Sequence, residues 1–189
     1  MSPRAGLNAE LVLHAAWGIA DSQGIAAVTL SSVAQKLGVR SPSLYNHVSS
    51  LDELRRMLAA QVLNQLHERI VAAIEGLNGE AAIRAFASTY INYALEHPGL
   101  YEGAQIASDQ RDHEVTRAGG AIVDLTLQLL SHYSLNEKEA LYAVRGLRSL
   151  VHGYASLERL GGFGLPLDLQ ESFVFNLNIF LGGLRHGSC

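Results

Sequence analysis

The chain has 189 residues, a hydrophobic fraction of 48% and a formal net charge of −4. This apolar content is typical of a globular protein and excludes a disordered chain, and no apolar run approaches the roughly 18 residues of a transmembrane helix. The first residues lack the apolar segment of a signal peptide, and the single cysteine, Cys189, excludes an intramolecular disulfide. We therefore expect a cytoplasmic protein without a membrane partner.

Three short helical patterns occupy the first fifty residues. Asn8 is placed to cap the first helix. Thr29 is placed to cap a second helix, which Gly38 ends. Ser41 is placed to cap a short third helix, with Pro42 in its first turn, where the missing N–H costs nothing.

The second and third helices have the spacing of a helix-turn-helix motif. Ala34 is small where the two helices would touch, and Gly38 can adopt the positive φ of the turn. Leu44 would point back into the crossing. In such a motif the second helix enters the major groove of DNA.

The rest of the chain shows further helical patterns and no convincing strand alternation. We therefore predict an all-α fold of about nine helices, with a DNA-binding domain at 1–50 and a ligand-binding and dimerisation domain at 51–189. The later patterns begin near Leu51, Glu80, Leu100, Asp112, Asn136 and Asp168, and end near Gly76, Glu96, Ala107, Tyr133, Gly161 and Gly187.

A projection of 100° per residue orients the third helix. It turns Leu44 and Val48 inward and leaves a polar and aromatic set to meet DNA. Asn46 can pair with adenine, and Arg40 can reach a guanine or a phosphate. The other members can contact phosphates or line the same face. The candidate DNA-binding residues are Thr29, Arg40, Pro42, Ser43, Tyr45, Asn46, His47 and Ser49.

Charge gives DNA binding only weak support. Residues 1–57 carry five basic and four acidic side chains, a net charge of +1, and the remainder carries −5. Because electrostatic affinity for DNA rises with the number of phosphates neutralised, we expect neutral donors and subunit geometry to contribute much of the specificity.

The last two helices carry more apolar residues than their contact with each other requires. A four-helix interface between two copies of the chain would explain them, and so would a core within one copy. The candidate dimer-interface residues are Leu147, Val151, Tyr154, Phe173, Leu177, Phe180, Leu181 and Leu184.

The middle of the chain mixes aromatic side chains with isolated polar ones, as a small-molecule site does. Arg148 and His152 are four residues apart, so they could together hold an anionic or carbonyl-bearing effector. Each position could instead be a hydrogen-bonded structural residue. The candidate ligand-binding residues are Tyr90, Tyr93, Tyr101, Gln105, Arg148 and His152.

The remaining patterns favour neither a metal site nor an enzyme. The eight histidines lack the His-x-x-x-His and His-Glu-x-x-His spacings, and no serine lies in a Gly-x-Ser-x-Gly turn. Gly161–Gly164 lacks the lysine and the preceding strand of a phosphate-binding loop. We expect no metal, no cofactor and no catalytic residue.

The block from Leu37 to Val48, followed by Leu51-Asp52-Glu53-Leu54, resembles the tetracycline-repressor (TetR) family of bacterial transcriptional regulators. Val151-His152-Gly153 resembles the Trp-His-Gly (WHG) type of C-terminal domain in that family, with valine in place of tryptophan. The resemblance implies a homodimeric repressor that binds a palindromic DNA operator and is released by a small-molecule effector.

The resemblance also places Arg40, Pro42, Ser43, Tyr45, Asn46 and His47 on the DNA-reading positions of the family. Leu51 stands where many members have lysine, and Ser31 where some have arginine. The alternative functions are an all-helical enzyme or small-molecule carrier, or a helical scaffold for another protein, without DNA binding.

Overall fold

The computed structural model of the protein describes residues 6–106 and 113–185. Within these ranges it contains eight α-helices, two short 3-10 helices and no strand, so the predicted all-α fold is confirmed. The α-helices are α1 (Ala9–Gln23), α2 (Leu30–Leu37), α3 (Leu51–Ile74), α4 (Gly79–Glu96), α5 (Pro98–Ile106), α6 (His113–Leu130), α7 (Glu137–Arg159) and α8 (Leu169–Arg185). The 3-10 helices cover Ile25–Ala27 and Ser41–Asn46.

Some predictions concern residues beyond the described ranges. They are the helix limits near Ala107, Asp112 and Gly187, and the lone Cys189. None of the described helices is long and apolar enough to cross a membrane.

The predicted helix caps at Asn8 and Thr29 are confirmed. The side chain of Asn8 accepts a hydrogen bond from the Leu11 N–H at 2.8 Å. Asn136 and Glu139 form a reciprocal capping box at the start of α7. Such caps satisfy N–H groups that have no partner within the helix, so a short sequence pattern is enough to place the helix start.

The described residues form two compact units. The first contains those up to Asn64 and those between His97 and Gly119, and the second contains 65–96 and the residues from Gly120 onward. Two of the three divisions fall inside α3 and α6, and the third lies between α4 and α5. The predicted boundary after residue 50 separates a DNA-binding domain from a ligand-binding and dimerisation domain. It does not refer to compact units, and it stays a prediction.

In the first unit, α5 packs closely on α1. A Cβ atom at Gly99 would overlap the carbonyl oxygen of Ala20 and lie 2.7 Å from the Cα atom of Gly24. One turn later, a Cβ atom at Gly103 would lie 2.8 Å from the Cδ1 atom of Ile25. At Gly99, α5 therefore meets the backbone at the end of α1 with no side chain between them, and at Gly103 it leaves room for the side chain of Ile25 in the following 3-10 helix.

A hydrogen bond between two side chains lies at the same end of α5. The Nδ1 atom of His97 is 2.8 Å from an Oδ1 atom of Asp21 in α1. The predicted gap between the helix that ends near Glu96 and the one that begins near Leu100 is a single non-helical residue, His97, because Pro98 occupies the first position of α5, where a proline is tolerated.

In the second unit, α4 packs on α7 and α7 packs on α8. At the start of α4, Glu80 accepts a hydrogen bond from the Nε atom of Arg185 at 2.8 Å and another from the Tyr133 hydroxyl at 3.3 Å. The Arg185 hydrogen bond is the main reason that the pKa of Glu80 is lowered. The charged carboxylate thereby links the start of α4 to the end of α8.

We predict that Gly99→Ala destabilises the protein by about 1–3 kcal/mol, because the added methyl group meets backbone atoms that cannot rotate away. Urea unfolding measures the change. Gly120→Ala is the matched control: no atom lies within 4 Å of its Cβ position, so helix propensity should stabilise α6 by about 0.5–1 kcal/mol. Equal stability of the two variants would contradict the close α1–α5 contact.

Candidate nucleic-acid interface and effector site

The turn after α2 has the geometry that the sequence predicts. Gly38 adopts the left-handed conformation with φ 67° and ψ 31°. The N–H of Gly38 donates to the carbonyl of Gln35 at 3.1 Å, and the N–H of Val39 donates to that of Ala34 at 3.0 Å. Ala34 and Leu44 are buried, so the segment after the turn packs on α2 as a helix-turn-helix requires.

The segment expected to read DNA is a 3-10 helix, Ser41–Asn46, and not an α-helix. Its N-cap residue is Arg40, without a side-chain cap, so the predicted cap at Ser41 is wrong, whereas Pro42 does lie in the first turn. A 3-10 helix advances about 120° per residue, so side chains three apart share one side. The 100° projection therefore does not describe this segment.

The burial pattern follows the three-residue repeat. Leu44 is buried, and Ser41 is half-buried on the same side. Pro42 and Tyr45 share an exposed side, and Tyr45 is 58% exposed. The remaining side carries Ser43, half-buried, and Asn46, exposed. Arg40 before the segment is exposed, and His47 after it is half-buried.

Thr29 and Ser49 have structural partners within the chain. The Thr29 hydroxyl accepts a hydrogen bond from the Ser32 N–H at 3.0 Å, which completes the predicted cap of α2. The N–H and hydroxyl of Ser49 both donate to the carboxylate of Glu53. These two bonds are the largest cause of the lowered pKa of Glu53. A negative charge thus lies beside Ser49, which makes it a poor phosphate donor.

The candidate ligand residues are distributed over three helices. Arg148 and His152 lie one turn apart on α7, and Arg148 is exposed. The pKa of His152 is lowered, first by burial and then by the charge of Arg148. The Nε2 atom of His152 is 3.4 Å from the Ser156 hydroxyl. The pair predicted from the sequence is therefore close in space, and its imidazole favours the neutral form.

The aromatic candidates are mostly buried. Tyr90 on α4 is 4% exposed and its ring centroid lies 6.1 Å from that of Phe86. Tyr93 is fully buried, and its hydroxyl donates to the Oε1 atom of Gln65 at 2.9 Å. Its side chain and its hydroxyl thus have partners in the core, and its predicted contact with a ligand stays a prediction. In the first unit, Tyr101 is buried and Gln105 half-buried on α5.

Five of the predicted dimer-interface residues form the core of one chain. They are at most 3% exposed, so no surface remains for a second subunit, and the prediction is corrected for Leu147, Val151, Phe173, Leu177 and Leu181. Phe180 is half-buried against Gly146, and Leu184 is also half-buried.

Tyr154 also has partners within its own chain. Its hydroxyl accepts a hydrogen bond from the Asn176 amide at 2.7 Å, and its ring centroid lies 5.0 Å from that of Phe173. It joins α7 to α8 and is half-buried, and its predicted interface role stays a prediction.

The sequence reasoning missed a second apolar set on the other side of these helices. Tyr142 and Leu157 on α7, and Phe175 and Ile179 on α8, are between 45% and 64% exposed. We call these four residues the α7–α8 surface. The four-residue spacing of Phe175 and Ile179 was the available signal, but periodicity alone does not tell which of two apolar stripes faces the core.

No group of three metal-ligating side chains occurs in the part of the chain that the structure describes.

Comparison with known proteins gives consistent results. The family model of the tetracyclin repressor-like C-terminal domain matches residues 83–180. YobS, an uncharacterised HTH-type transcriptional regulator of Bacillus subtilis, is 35% identical over 184 residues, which cover 97% of this chain and 96% of YobS.

Two solved structures have the same fold. A Rhodococcus protein of unknown function is 21% identical with a TM-score of 0.83, over 98% of this chain and 100% of that one. BioQ bound to its natural double-stranded DNA operator is 21% identical with a TM-score of 0.70, over 96% and 99% of the two chains.

Proposed function

The chain belongs to the TetR family of DNA-binding transcriptional regulators, and on this premise we propose that it is a homodimeric repressor that a small-molecule effector releases from a palindromic operator. The observation that carries the proposal is the Gly38 turn, which presents Tyr45 and Asn46 to solvent beside a buried Leu44. The operator complex of BioQ, which has the same fold, supports it. Its place of action would be the cytoplasm.

Base reading is assigned to the exposed sides of the 3-10 helix. Asn46 has the amide that can bond adenine through two hydrogen bonds, and Arg40 has the guanidinium that suits guanine or phosphate. Tyr45 and Pro42 would contact the DNA backbone and the methyl groups of thymine bases. Ser43 and His47 are less exposed and would fix the register through phosphates. Thr29 and Ser49 would contribute less to DNA contact, since their hydroxyls are already hydrogen-bonded within the chain.

The second subunit would cover the α7–α8 surface. Large apolar side chains that are half exposed or more on two neighbouring helices mark an interaction site. Helix pairs from two copies can form a four-helix interface around a two-fold axis, and that symmetry matches a palindromic operator. Phe180 and Leu184, both half-buried, would extend the contact.

The effector would bind at Arg148 and His152 with Tyr90 on the neighbouring helix α4. A neutral imidazole beside a guanidinium can hydrogen-bond a carboxylate or carbonyl that the guanidinium attracts. The predicted ligand-binding roles of Tyr101 and Gln105 on α5, in the first unit, stay predictions. Release requires that the effector bind more tightly to the conformation that fits the operator poorly, because equal affinity for both would shift nothing.

We predict that Tyr45→Ala and Asn46→Ala each weaken operator binding about 10- to 100-fold, because each removes contacts to the DNA. The probe is a duplex selected by the wild-type protein from random-sequence DNA, with affinity measured by fluorescence anisotropy over a salt series. Neither residue is charged, so the dependence on salt should not change. Asn78→Ala, an exposed asparagine outside the 3-10 helix, is the control. Failure of the wild-type protein to enrich any duplex would contradict the function.

We predict that Phe175→Asp and Ile179→Asp convert a dimer to monomers, with at least a 30-fold increase in the dimer dissociation constant, because each places a charge in an apolar interface. Sedimentation velocity measures the oligomeric state. Leu77→Asp is the control, since Leu77 is comparably exposed but lies between α3 and α4. A wild-type monomer, or unchanged dimers in both variants, would exclude this interface.

We predict that His152→Ala and Arg148→Ala abolish the rise in melting temperature caused by an anionic effector. A panel of small aromatic carboxylates serves as the probe, and a ligand at 100 times its dissociation constant stabilises the wild-type protein by about 2.7 kcal/mol. Arg145→Ala, an exposed arginine on the same helix, should respond as the wild type does. Equal shifts in all four proteins would place the effector elsewhere.

A further inference from the structure

Arg55 on α3 bonds to the connection between α1 and α2. Its Nη2 atom donates a hydrogen bond to the carbonyl oxygen of Val28 at 3.2 Å. Val28 is fully buried and directly precedes Thr29, the N-cap residue of α2. The bond therefore joins α3 to the point at which the helix-turn-helix motif begins, across 27 residues of sequence.

The other polar groups of this connection are bonded locally. The N–H of Ala27 donates to the carbonyl of Gly24 at 3.1 Å, and that of Val28 donates to the carbonyl of Ile25 at 3.1 Å. The hydroxyl of Ser32 donates to the carbonyl of Ala27 at 2.8 Å. Arg55 thus supplies the partner for the carbonyl of Val28, which a buried backbone group needs.

Packing alone does not account for an arginine here. The Nε atom of Arg55 is buried without a hydrogen-bond partner among the described residues. Arg55 as a whole is half-buried. A buried guanidinium N–H without a partner is unfavourable, and an apolar side chain of similar size could fill the same space without that cost. The contribution of Arg55 therefore lies in the bond that it makes to the backbone.

We propose that Arg55 is a positioning residue for DNA binding, which holds the start of α2 in a fixed place on α3. The 3-10 helix is attached to the same part of α3, because Ser50 accepts a hydrogen bond from the Glu53 N–H at 3.0 Å and Ser49 donates to the Glu53 carboxylate. The first turns of α3 thereby set the position of both helices of the motif.

This role differs from that of a phosphate contact. The guanidinium donates inward to a carbonyl, so its loss should not reduce the number of counterions released on DNA binding. Arg40 is exposed at the start of the 3-10 helix, and its removal should reduce that number if it contacts a phosphate. The salt dependence of affinity consequently separates positioning from direct contact.

The experiment compares Arg55→Met, Arg55→Lys and the control Arg117→Met, which removes an exposed arginine of α6. The probe is the duplex that the wild-type protein selects from random-sequence DNA, since the proposal rests on the DNA-binding function. We expect Arg55→Met to lower affinity about 10- to 100-fold, as loss of a charged hydrogen bond does. Arg55→Lys should restore it to within about threefold, because an ammonium can donate to the same carbonyl. For both Arg55 variants, the slope of log affinity against log salt concentration should equal that of the wild-type protein.

Three results would overturn the proposal. The first is an Arg55→Met variant that binds DNA as tightly as the wild-type protein. The second is a salt dependence of Arg55→Met whose slope is smaller than that of the wild type by about 0.9 for each subunit, and the third is an Arg55→Lys variant that binds DNA as weakly as Arg55→Met.

Hydrogen exchange of the free protein tests the positioning without DNA, so it remains decisive if no duplex is selected and the proposed function fails. The amides of 29–33 should exchange faster in Arg55→Met than in Arg55→Lys, and exchange in α8 should be unchanged. Equal exchange over 29–33 would overturn the role. If Arg55→Met does not fold, Arg55→Gln, which keeps a neutral donor, takes its place in both measurements.

Discussion

The left-handed backbone at Gly38 is the constraint on which the DNA-binding unit depends. With φ at 67°, a residue with a Cβ atom would be strained there. The turn directs the chain so that Leu44 is buried, as Ala34 on α2 is, and the burial of Leu44 in turn decides which side chains of the 3-10 helix face solvent. A change at Gly38 would therefore move all the proposed DNA contacts together, although Gly38 itself need not touch DNA.

The features that could be predicted from the sequence are those with a local physical cause. A cap such as Asn8 or Thr29 satisfies donors within three residues of itself, and a glycine such as Gly38 permits a conformation that other residues resist. The limits of the long helices follow from the same signals, so α3, α4 and α7 begin within one residue of the predicted starts. The all-α fold follows from these helices together.

The features that could not be predicted depend on partners distant in the sequence. Leu177 and Ile179 are both apolar, yet the first is buried against the chain and the second is exposed. The packing of α7 on α8, and not the local sequence, determines which of the two is buried. The hydroxyl of Tyr93 is used by Gln65, 28 residues away, and no local pattern indicates that bond. The short segment at 41–46 lacks the length that would distinguish a 3-10 helix from an α-helix by periodicity.

The glycine contacts between α1 and α5 have a mechanical consequence. Gly99 and Gly103 let α5 rest directly on α1 and on the 3-10 helix that follows it, and His97 is paired with Asp21 at the same place. Tyr101 and Gln105 belong to this helix, and thus to the compact unit that contains the helix-turn-helix motif. Force applied to either side chain by a bound molecule acts within a single packed body. The same body contains the residues proposed to read DNA.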